Sequence, residues 1–484
     1  MSKRQILGPF SRVEGDLEVQ IERHHNRVAD AWVVSPLYRG FERMLVGKEP
    51  QDALVYVPRI CGICSVAQSA AAAQALAQAA GVRPPENGRL ASQLMLAAEN
   101  VADHLTHFYL FFMPDFARPI YAGQPWYEGV LKRFKAVDGA ASRVALPARA
   151  SFLHLMGILG GRWPHTLALQ PGGSTRGLEA RDKSQLRGVV AGFRAFLEET
   201  LFGASLESLV ALESGQSLLA WAAEQPCQNS DFRWFLQVAE TLELAQLGRG
   251  HDGFMSYGAY GQGEEALFAA GVWQQGGLRA LDPGAIREDV SHAWMHPDRE
   301  PRHPFEGRTL PDAEQPNGYS WCKAPRLNGL PMEVGALARQ QVAGHPLVRD
   351  LVAQSGGNVR NRVIARLLEI ARVVLAMEGW IAQLEPRAPF GVESPLPEQG
   401  QGVGLVEAAR GGLGHWYRMD KGRLSHAQIV APTTWNFSPR DAAGVRGPLE
   451  QALLNSPIRA GEQDPVAVQH IVRSFDPCMV CTVH

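Results

Sequence analysis

Two short segments with paired cysteines stand near the two ends of the chain and decide how it must fold: Arg59-Ile60-Cys61-Gly62-Ile63-Cys64 and Asp476-Pro477-Cys478-Met479-Val480-Cys481-Thr482-Val483-His484. Almost the whole length of the chain separates the two pairs. If the four thiols form one site, only the folded chain can bring them together. The sequence therefore predicts a site between the two chain ends.

The residues after the first pair predict a helix. An alanine-rich stretch runs from Val66 to Ala80, and Ser65 is of a type that caps a first helical turn. The first pair is thus expected where a loop enters a helix. Backbone N–H groups at a helix start favour the thiolate over the thiol.

Further from the cysteines, the apolar pattern predicts an α+β fold that is predominantly helical. Residues 16–35 alternate apolar and polar side chains, which predicts a peripheral N-terminal β-hairpin. Residues 89–112 and 360–384 are apolar at helical spacing, and we expect them to form a long central helix bundle. Residues 291–317 and 386–404 are rich in proline, glycine and charge, and we expect them to be surface excursions.

The domain organisation follows from the absence of a clear linker in the sequence. The length of 484 residues would suggest about three domains at ~150 residues each. We instead expect one domain over residues 1–484, with an N-terminal β region (1–50), a helical core (65–385) and a C-terminal metal-site region (405–484).

Composition excludes several classes of protein. Hydrophobic residues make up 45%, charged residues 20%, and the net charge is -2, so nucleic acid is not an expected partner. No stretch approaches the ~18 apolar residues of a membrane span, and the N-terminus lacks an apolar signal-peptide stretch. We therefore expect a cytoplasmic location. Six cysteines are too few for a disulfide framework, and Cys227 and Cys322 are expected to be buried apolar residues.

Three kinds of site could use two Cys-x-x-Cys pairs. A structural zinc site is disfavoured, because zinc modules usually keep their ligand pairs within a few tens of residues. A thioredoxin-like redox pair would need a βαβ context and would leave the second pair unexplained. Soft thiolates also suit nickel, and a four-sulfur site with open positions could bind a small reducible ligand. Spacing alone leaves the metal unspecified.

Both cysteine segments resemble the two motifs typical of nickel-iron hydrogenase large subunits. Other segments resemble the same family in the same order: Ser11-Arg12-Val13-Glu14-Gly15, Arg39-Gly40-Phe41-Glu42, residues 104–115, Lys323-Ala324-Pro325-Arg326, Glu333-Val334-Gly335, Arg410-Gly411-Gly412-Leu413-Gly414-His415-Trp416 and Pro432-Thr433-Thr434-Trp435-Asn436. This ordered set is far more specific than a single cysteine pair. It implies an enzyme that cleaves dihydrogen heterolytically.

The resemblance also implies the metal ligands. Cys61, Cys64, Cys478 and Cys481 would bind nickel, and Cys64 and Cys481 would also bridge to an iron that carries one carbon monoxide and two cyanides. Around these diatomic ligands the pocket must be dry yet offer hydrogen-bond donors. Arg410 and Thr433 match the family's positions for such donors.

The residues implied to move protons and to hold a second metal are spread along the chain. The base beside the nickel would be Cys481 or Arg410, and Glu14 matches the position that relays the proton outward. The resemblance places a magnesium-like ion on three ligands: Glu42, His484 and the backbone carbonyl of Ile429. Two acidic residues would hold the Arg410 guanidinium: Asp115 and Asp476.

The sequence departs from the family pattern at positions close to these residues. Gln68 stands where most relatives have histidine, as does Asp16, and Ala409 replaces a proline. Ile63 and Phe111 resemble the bulky pair of the hydrogen-sensing subgroup, although alternative core packing would also explain them. The sequence also lacks the C-terminal extension of most family precursors. Gln68, the bulky pair and the missing extension favour a hydrogen-sensing regulatory hydrogenase, with a respiratory uptake hydrogenase as the alternative.

Partners follow from the same resemblance. Once four cysteines bind nickel, too few remain for an iron-sulfur cluster with four thiolate ligands. An iron-sulfur small subunit is therefore the implied obligate partner, and dihydrogen is the implied substrate. The sensing role would add a signalling partner such as a histidine kinase. A respiratory-complex relative that has lost nickel is disfavoured, because that line typically lacks these cysteines.

Overall fold

The computed structural model describes residues 4–261 and 263–484. In these residues the fold is mainly helical with several small sheets. The α-helices are α1 Phe41–Leu45, α2 Ala53–Tyr56, α3 Ser65–Ala80, α4 Glu86–Thr106, α5 Tyr127–Phe134, α6 Ala140–Phe152, α7 His154–Gly160, α8 Ala180–Phe196, α9 Leu206–Val210, α10 Gly215–Ala223, α11 Asp231–Thr241, α12 Ala336–Ala343, α13 Pro346–Ser355, α14 Val359–Gln383, α15 Pro432–Asn436, α16 Pro448–Leu453, α17 Val466–Ser474 and α18 Met479–Thr482.

The strands form small antiparallel sheets of two or three strands. Their bounds are β1 Gln5–Leu7, β2 Glu18–His24, β3 Arg27–Val34, β4 Leu169–Gln170, β5 Gly173–Ser174, β6 Phe254–Ala259, β7 Phe268–Gln274, β8 Gly277–Arg279, β9 Ile286–Asp289, β10 Ala324–Leu327, β11 Gly400–Ala408, β12 Gly411–Asp420 and β13 Arg423–Val430. The sheets are β1-β2-β3, β4-β5, β6-β7-β8, β10-β9 and β11-β12-β13. Within the described ranges, no helix has both the length and the apolar character that crossing a bilayer requires.

Helix α3 begins immediately after the first cysteine pair and lies against strand β11. Its alanines make the helix thin, and Gly81 in a left-handed conformation (φ 64) ends it. Gly402 and Gly404 of β11 face the backbone of the helix: a Cβ at Gly404 would lie 1.8 Å from the carbonyl oxygen of Ala71. Small residues on both elements therefore permit an unusually close helix–strand contact.

The two longest helices, α4 and α14, pack against each other in the core. Helix α4 begins three residues before the predicted start and continues into a π-helical segment, His107–Phe112. Both helices are buried over much of their surface, including several charged side chains. One buried network ties α14 to other elements: Arg339 of α12 donates to Glu369 of α14 at 2.7 Å and to Glu407 of β11 at 2.7 Å. Paired in this way, the charges avoid the cost of burial alone.

The N-terminal strands occupy the region predicted to form a hairpin. Strands β2 and β3 pair antiparallel, and His25 and Asn26 between them have positive φ values of 45 and 58. Strand β1 adds to the outer edge of β2. Both predicted surface excursions lie mostly outside regular structure, but the last five residues of the second, 400–404, belong to β11. The division of the chain into three regions of one domain stays a prediction.

The two ends of the chain meet in the interior. Glu14, between β1 and β2, forms a parallel β-bridge with Cys478. The backbone N–H of Met479 donates to the carbonyl of Glu14 at 2.7 Å, and the N–H of Glu14 donates to the carbonyl of Pro477 at 3.3 Å. Cys478 is completely buried. The C-terminal segment is thus enclosed by the N-terminal part of the chain.

Candidate metal centre

The four cysteines of the two segments form one cluster. All four Sγ atoms lie within 4.8 Å of one another. The Sγ atoms of Cys64 and Cys481 are 2.9 Å apart, those of Cys478 and Cys481 are 3.0 Å apart, and those of Cys61 and Cys478 are 3.5 Å apart. These separations exceed the ~2.05 Å of a disulfide bond, so the thiols are free to bind a metal.

The electrostatics of the cluster show that the protein alone cannot ionise all four thiols. Hydrogen bonds from neighbouring thiols, first that from Cys478, hold the pKa of Cys61 well below its usual value. Hydrogen bonds with the neighbouring thiols, first that with Cys478, raise the pKa of Cys64, and burial raises the pKa of Cys478 and of Cys481. One thiolate and three thiols is the arrangement that follows, and a bound cation would be needed to stabilise four thiolates. A soft divalent metal such as nickel fits this set of donors.

Backbone and side-chain contacts fix the two cysteine segments relative to each other. The Arg39 guanidinium donates to the carbonyl of Ile60 at 2.6 Å and also to the carbonyl of Val480, so it joins both segments. The Thr433 hydroxyl accepts a hydrogen bond from the N–H of Cys478 at 3.1 Å. Its own proton is therefore available to another acceptor, as the prediction for Thr433 requires.

Arg410 lies over the cluster between two buried acids. Its guanidinium contacts Asp476 Oδ1 at 3.1 Å and Asp103 Oδ2 at 2.8 Å, and its Nε donates to the carbonyl of Asp476 at 2.8 Å. Although burial opposes its charge, Asp103 and Asp476 raise the pKa of Arg410 well above its usual value. Arg410 Nη1 has no well-aligned hydrogen-bond acceptor in the described part of the chain. Nη1 lies 2.8 Å from Asp103 Oδ2, but it carries two N–H bonds, so one of them can donate to a group bound beside the thiolates, such as a cyanide on iron.

The prediction that Asp115 holds Arg410 is wrong, because Asp115 has other partners. Its carboxylate accepts from Arg473 Nη1 at 2.8 and 2.9 Å, pairs with Arg12, and lies 3.1 Å from His470 Nδ1. Asp103, on α4, takes the predicted place beside Asp476. Helix α4 also carries Glu99, Asn100 and His104 as buried polar residues, so no local signal in the sequence singles out Asp103.

Glu14 lies at the edge of the cluster and is half-buried. Burial, and next the negative charge of Cys61, raise the pKa of Glu14 above its usual value. Arg12, two residues earlier in the chain, pairs with Asp115 and not with Glu14. A carboxyl group in this position can exchange protons with its surroundings near neutral pH more readily than an exposed one.

The residues predicted to hold a magnesium-like ion also converge. His484 Nε2 lies 2.5 Å from the carbonyl oxygen of Ile429 and 3.8 Å from Glu42 Oε1, and the Ile429 N–H donates to the same carboxylate oxygen at 2.8 Å. These groups line a cavity of about 10 Å³ together with Glu288, Thr309 and Lys323. That volume suits a single small ion or water, and the oxygen-rich lining suits a hard cation.

His484 itself gives a second reason to consider a cation there. Its Nδ1 lies 2.8 Å from the carbonyl of Cys481, while Nε2 faces the carbonyl of Ile429. A neutral imidazole can donate from only one nitrogen, so the second carbonyl would face a lone pair. A cation between Nε2 and Ile429 would remove that conflict, and the residues present therefore fit the ion.

The remaining positions of interest lie around the first cysteine pair. Gln68, one turn into α3, accepts a hydrogen bond from His415 Nε2 at its Oε1 at 2.8 Å, and the other ring nitrogen of His415 lies 2.7 Å from the Tyr417 hydroxyl. Ile63 is partly buried against the main core, and Phe111 lies half-buried in the π-helical segment. Cys322 is buried, as predicted, whereas Cys227 is only partly buried.

Comparisons with known proteins place this geometry in a family. A family model described as nickel-dependent hydrogenase matches residues 39–124 and 232–484. The periplasmic NiFeSe hydrogenase large subunit of Desulfomicrobium baculatum is 29% identical over 99% of this chain and 94% of that protein. The uptake hydrogenase large subunit of Azotobacter chroococcum mcd 1 is 27% identical over 100% of this chain and 95% of that protein.

A solved structure agrees over the full length. The Ni-Fe-Se hydrogenase from D. vulgaris Hildenborough in the reduced state superposes with a TM-score of 0.85. It is 28% identical, and the alignment covers 100% of both chains. This chain therefore has the same mainly helical fold with small sheets as that structure.

Proposed function

Because the chain belongs to the nickel-dependent hydrogenase family, as a large subunit of the nickel-iron type, we propose that it cleaves dihydrogen heterolytically at a nickel-iron centre. The observation that carries the proposal is the convergence of four thiols from opposite ends of the chain within 4.8 Å. Nickel would be held by all four, and iron by Cys64 and Cys481 together with one carbon monoxide and two cyanides. When bound, the metal pair supplies the two-electron acceptor that the cleavage needs.

The protein's own groups then handle the proton. Cys481 and Arg410 are the two candidate bases, and the paired acids beside Arg410 keep its guanidinium protonated. We therefore assign the base to the Cys481 sulfur, and we assign to Arg410 and Thr433 the donation of hydrogen bonds to the diatomic ligands. Glu14, whose backbone is bonded to the C-terminal segment, would carry the proton away from the cluster.

Magnesium is the ion that we propose at Glu42, Ile429 and His484. Such an ion would anchor the last residue of the chain, and with it the segment that carries Cys478 and Cys481. Lys323 Nζ, 3.8 Å from Glu42 and 3.4 Å from Glu288, adds positive charge beside the two carboxylates. A loaded site would therefore tie the second cysteine pair to β13 and α1.

An iron-sulfur protein is the partner that we propose for electron transfer. Four of the six cysteines lie in the cluster, which leaves Cys227 and Cys322, and these are too few for a four-thiolate iron-sulfur cluster. The segment that leads to Cys61 carries several exposed apolar side chains: Leu37, Met44, Val46 and Val55. Apolar residues near the metal centre suit a stable interface with a second subunit.

We further propose that the chain senses hydrogen rather than feeding a respiratory chain. Support comes from Gln68, which pairs with His415 beside Cys64, and from the bulky Ile63 and Phe111. The relatives named above are enzymes, one of them an uptake hydrogenase, so uptake is the competing outcome. Low turnover, and copurification with a histidine kinase rather than a cytochrome, would support sensing; high turnover with a cytochrome partner would overturn it.

The location that we propose is the cytoplasm. Cell fractionation with a periplasmic and a cytoplasmic marker tests it. Recovery with the periplasmic marker would contradict the proposal, and the D. baculatum relative is named as periplasmic.

Infrared spectroscopy and metal analysis of the purified complex test the main proposal. We expect about one nickel per chain and absorption bands from metal-bound carbon monoxide and cyanide. A Cys481→Ser variant should lose nickel and these bands, whereas Cys322→Ser, which changes a buried cysteine outside the cluster, should retain both. Zinc in place of nickel, or the absence of diatomic bands from active protein, would overturn the proposal.

A further inference from the structure

Glu99 is a buried carboxylate that neither the cluster nor the proton route uses. It lies on α4 with 2% of its surface exposed. Its oxygens accept hydrogen bonds from the backbone N–H groups of Val66 and Ala67, each at 2.9 Å, and from the indole N–H of Trp163 at 2.9 Å. Burying a carboxylate is costly, so four converging donors, with the Ser65 hydroxyl at 3.3 Å as the fourth, indicate a specific role.

The two backbone donors belong to the first turn of α3. First-turn amides have no partner within their own helix, and a capping side chain normally accepts from them. Cys64 occupies the N-cap position, and its side chain makes no capping hydrogen bond. Glu99 therefore caps α3 from a different helix, which leaves the Cys64 sulfur free for the cluster.

The loop before α3 is held by the same group of residues. His165 N–H donates to the Ser65 hydroxyl at 3.3 Å, and His165 Nδ1 lies 2.9 Å from the carbonyl of Pro58. The loop with the first cysteine pair is thus fixed at both of its ends, by Pro58 and by Ser65. Glu99 and residues 163–165 therefore hold the loop of the first cysteine pair in place.

The negative charge of the Glu99 carboxylate is a second reason to assign this residue a role at the metal centre. In the described part of the chain, the hydrogen-bond partners of Glu99 are neutral donors. Among residues 4–261 and 263–484, no arginine or lysine therefore cancels its charge at contact distance. The carboxylate interacts electrostatically with Cys61, one of the four thiols of the cluster. Burial weakens solvent screening, so this interaction acts over a longer distance than it would at the surface.

We propose that Glu99 is a positioning residue of the metal centre: its carboxylate caps α3, fixes the Cys61–Cys64 loop, and increases the electron density that the thiolates donate to the metals. This inference rests on the proposed nickel-iron centre. It assigns to one buried acid both the placement of two ligands and part of the electronic tuning of the centre.

Infrared spectroscopy of the purified complex tests the inference through Glu99→Gln. Burial raises the pKa of Glu99 to about 8, so the comparison is made above that pH, where wild type carries the charge. We expect the variant to keep nickel and to shift the carbon monoxide and cyanide bands to higher wavenumber, because less electron density reaches the iron. Glu450→Gln is the matched control: Glu450 is another buried acid that accepts from a backbone N–H, that of Val33, and its variant should leave the bands in place.

Trp163→Phe provides a second test that keeps the carboxylate. It removes one neutral donor and so raises the pKa of Glu99 further; the comparison is therefore made well above pH 8, where the carboxylate is ionised in both proteins. There less of the negative charge is drawn into hydrogen bonds, and the bands should move to lower wavenumber. Hydrogen exchange at the amides of Val66 and Ala67, measured without metal, should be faster in Glu99→Gln than in wild type.

The outcomes separate this inference from the proposed function. Missing diatomic bands in wild type would refute the nickel-iron centre itself. If wild type shows the bands and neither variant shifts them, Glu99 has no such role. If Glu99→Gln fails to bind nickel, the direction of the Trp163→Phe shift decides: a shift to lower wavenumber supports the inference, and no shift or the opposite shift overturns it.

Discussion

At the scale of single residues, Glu14 joins the proposed proton route to the fold. Its backbone pairs with Cys478, so the position of its carboxyl group follows the C-terminal segment directly. Burial and the charge of Cys61 raise its pKa, which brings proton uptake closer to neutral pH. The backbone bridge therefore positions the carboxyl group of Glu14, and the raised pKa allows that group to bind a proton closer to neutral pH.

Replacing Glu14 with glutamine should separate proton transfer from metal binding. Glutamine keeps the size and the backbone bridge but cannot carry a proton, so nickel content should remain and hydrogen–deuterium exchange with dihydrogen should fall by about 10²-fold or more. Mass spectrometry of the gas phase measures the exchange. Glu14→Asp should recover part of the rate, and Glu18→Gln, on strand β2, should match wild type. Full exchange in Glu14→Gln would refute the relay role.

Asp115 contributes to the stability of the fold rather than to the placement of Arg410. Burial alone would raise its pKa, but His470, Arg473 and Arg12 hold the pKa of Asp115 below its usual value. A depressed pKa means that this carboxylate contributes stability above its unfolded value of about 3.9, and that the contribution is lost as the pH falls through the folded value.

Asp115→Asn should therefore lower the free energy of unfolding at neutral pH by about 3 kcal/mol, since it leaves buried cations without their partner. The difference from wild type should shrink as the pH falls below about 4. Denaturant unfolding at several pH values measures both effects. Glu86→Gln, which removes an exposed ion pair with Arg89, should change stability by less than about 0.5 kcal/mol. An Asp115→Asn variant as stable as wild type at neutral pH would contradict the assignment.

At the scale of elements, the contact between α3 and β11 sets the position of the first cysteine pair. The helix follows Cys64 without a linker, so any displacement of α3 moves a proposed ligand. A Cβ at Gly404 would meet the Ala71 carbonyl oxygen at 1.8 Å, and one at Gly402 would meet the Ala75 carbonyl oxygen at 1.9 Å. Backbone atoms cannot move aside as a flexible side chain can, so the strand must carry glycine at both positions.

Gly404→Ala should push α3 away from the sheet and reduce nickel binding. We expect a loss of stability of about 3 kcal/mol, at the upper end of the cost of overpacking, and less nickel per chain by elemental analysis. Gly379→Ala is the control, because Gly379 lies within α14 and an added Cβ would meet nothing within 4 Å. That variant should be as stable as wild type or slightly more so. Equal nickel content in Gly404→Ala and wild type would show that a displacement of α3 does not weaken nickel binding.

The elements differ in how far the sequence predicts them. The alanine run predicted α3 because the signal for a helix is local, and the same holds for the long apolar stretches of α4 and α14. The sequence did not predict β11, β12 and β13, because glycines there are explained only by the helix that lies against the strand. Nor could it choose Asp103 over Asp115 as the partner of Arg410, since that choice depends on which acid the tertiary packing brings to the guanidinium.

At the scale of the whole molecule, the fold encloses the end of its own chain. Several contacts hold residues 476–484: the bridge to Glu14, the bond from the Thr434 hydroxyl to the carbonyl of Thr482 at 3.0 Å, and the contacts of His484. The cluster and the proposed magnesium site add metal ligands at both ends of this segment. A ligand that binds only the folded arrangement stabilises it by mass action, and here that arrangement includes the enclosed tail.

Protein without metal should therefore loosen at its C-terminus before it loosens elsewhere. Without metal, three of the four closely packed thiols would remain protonated. The neutral imidazole of His484 could then donate a hydrogen bond to only one of the two carbonyl oxygens that it faces. We expect faster deuterium uptake in residues 476–484 and easier tryptic cleavage after Arg473 in metal-free protein than in loaded protein. Amides of α8, which packs against α6, α7 and α14, serve as the internal control and should exchange equally in both forms. Equal protection of the tail in both forms would mean that packing alone holds the two chain ends together, and the metals would then occupy a site that the fold has already closed.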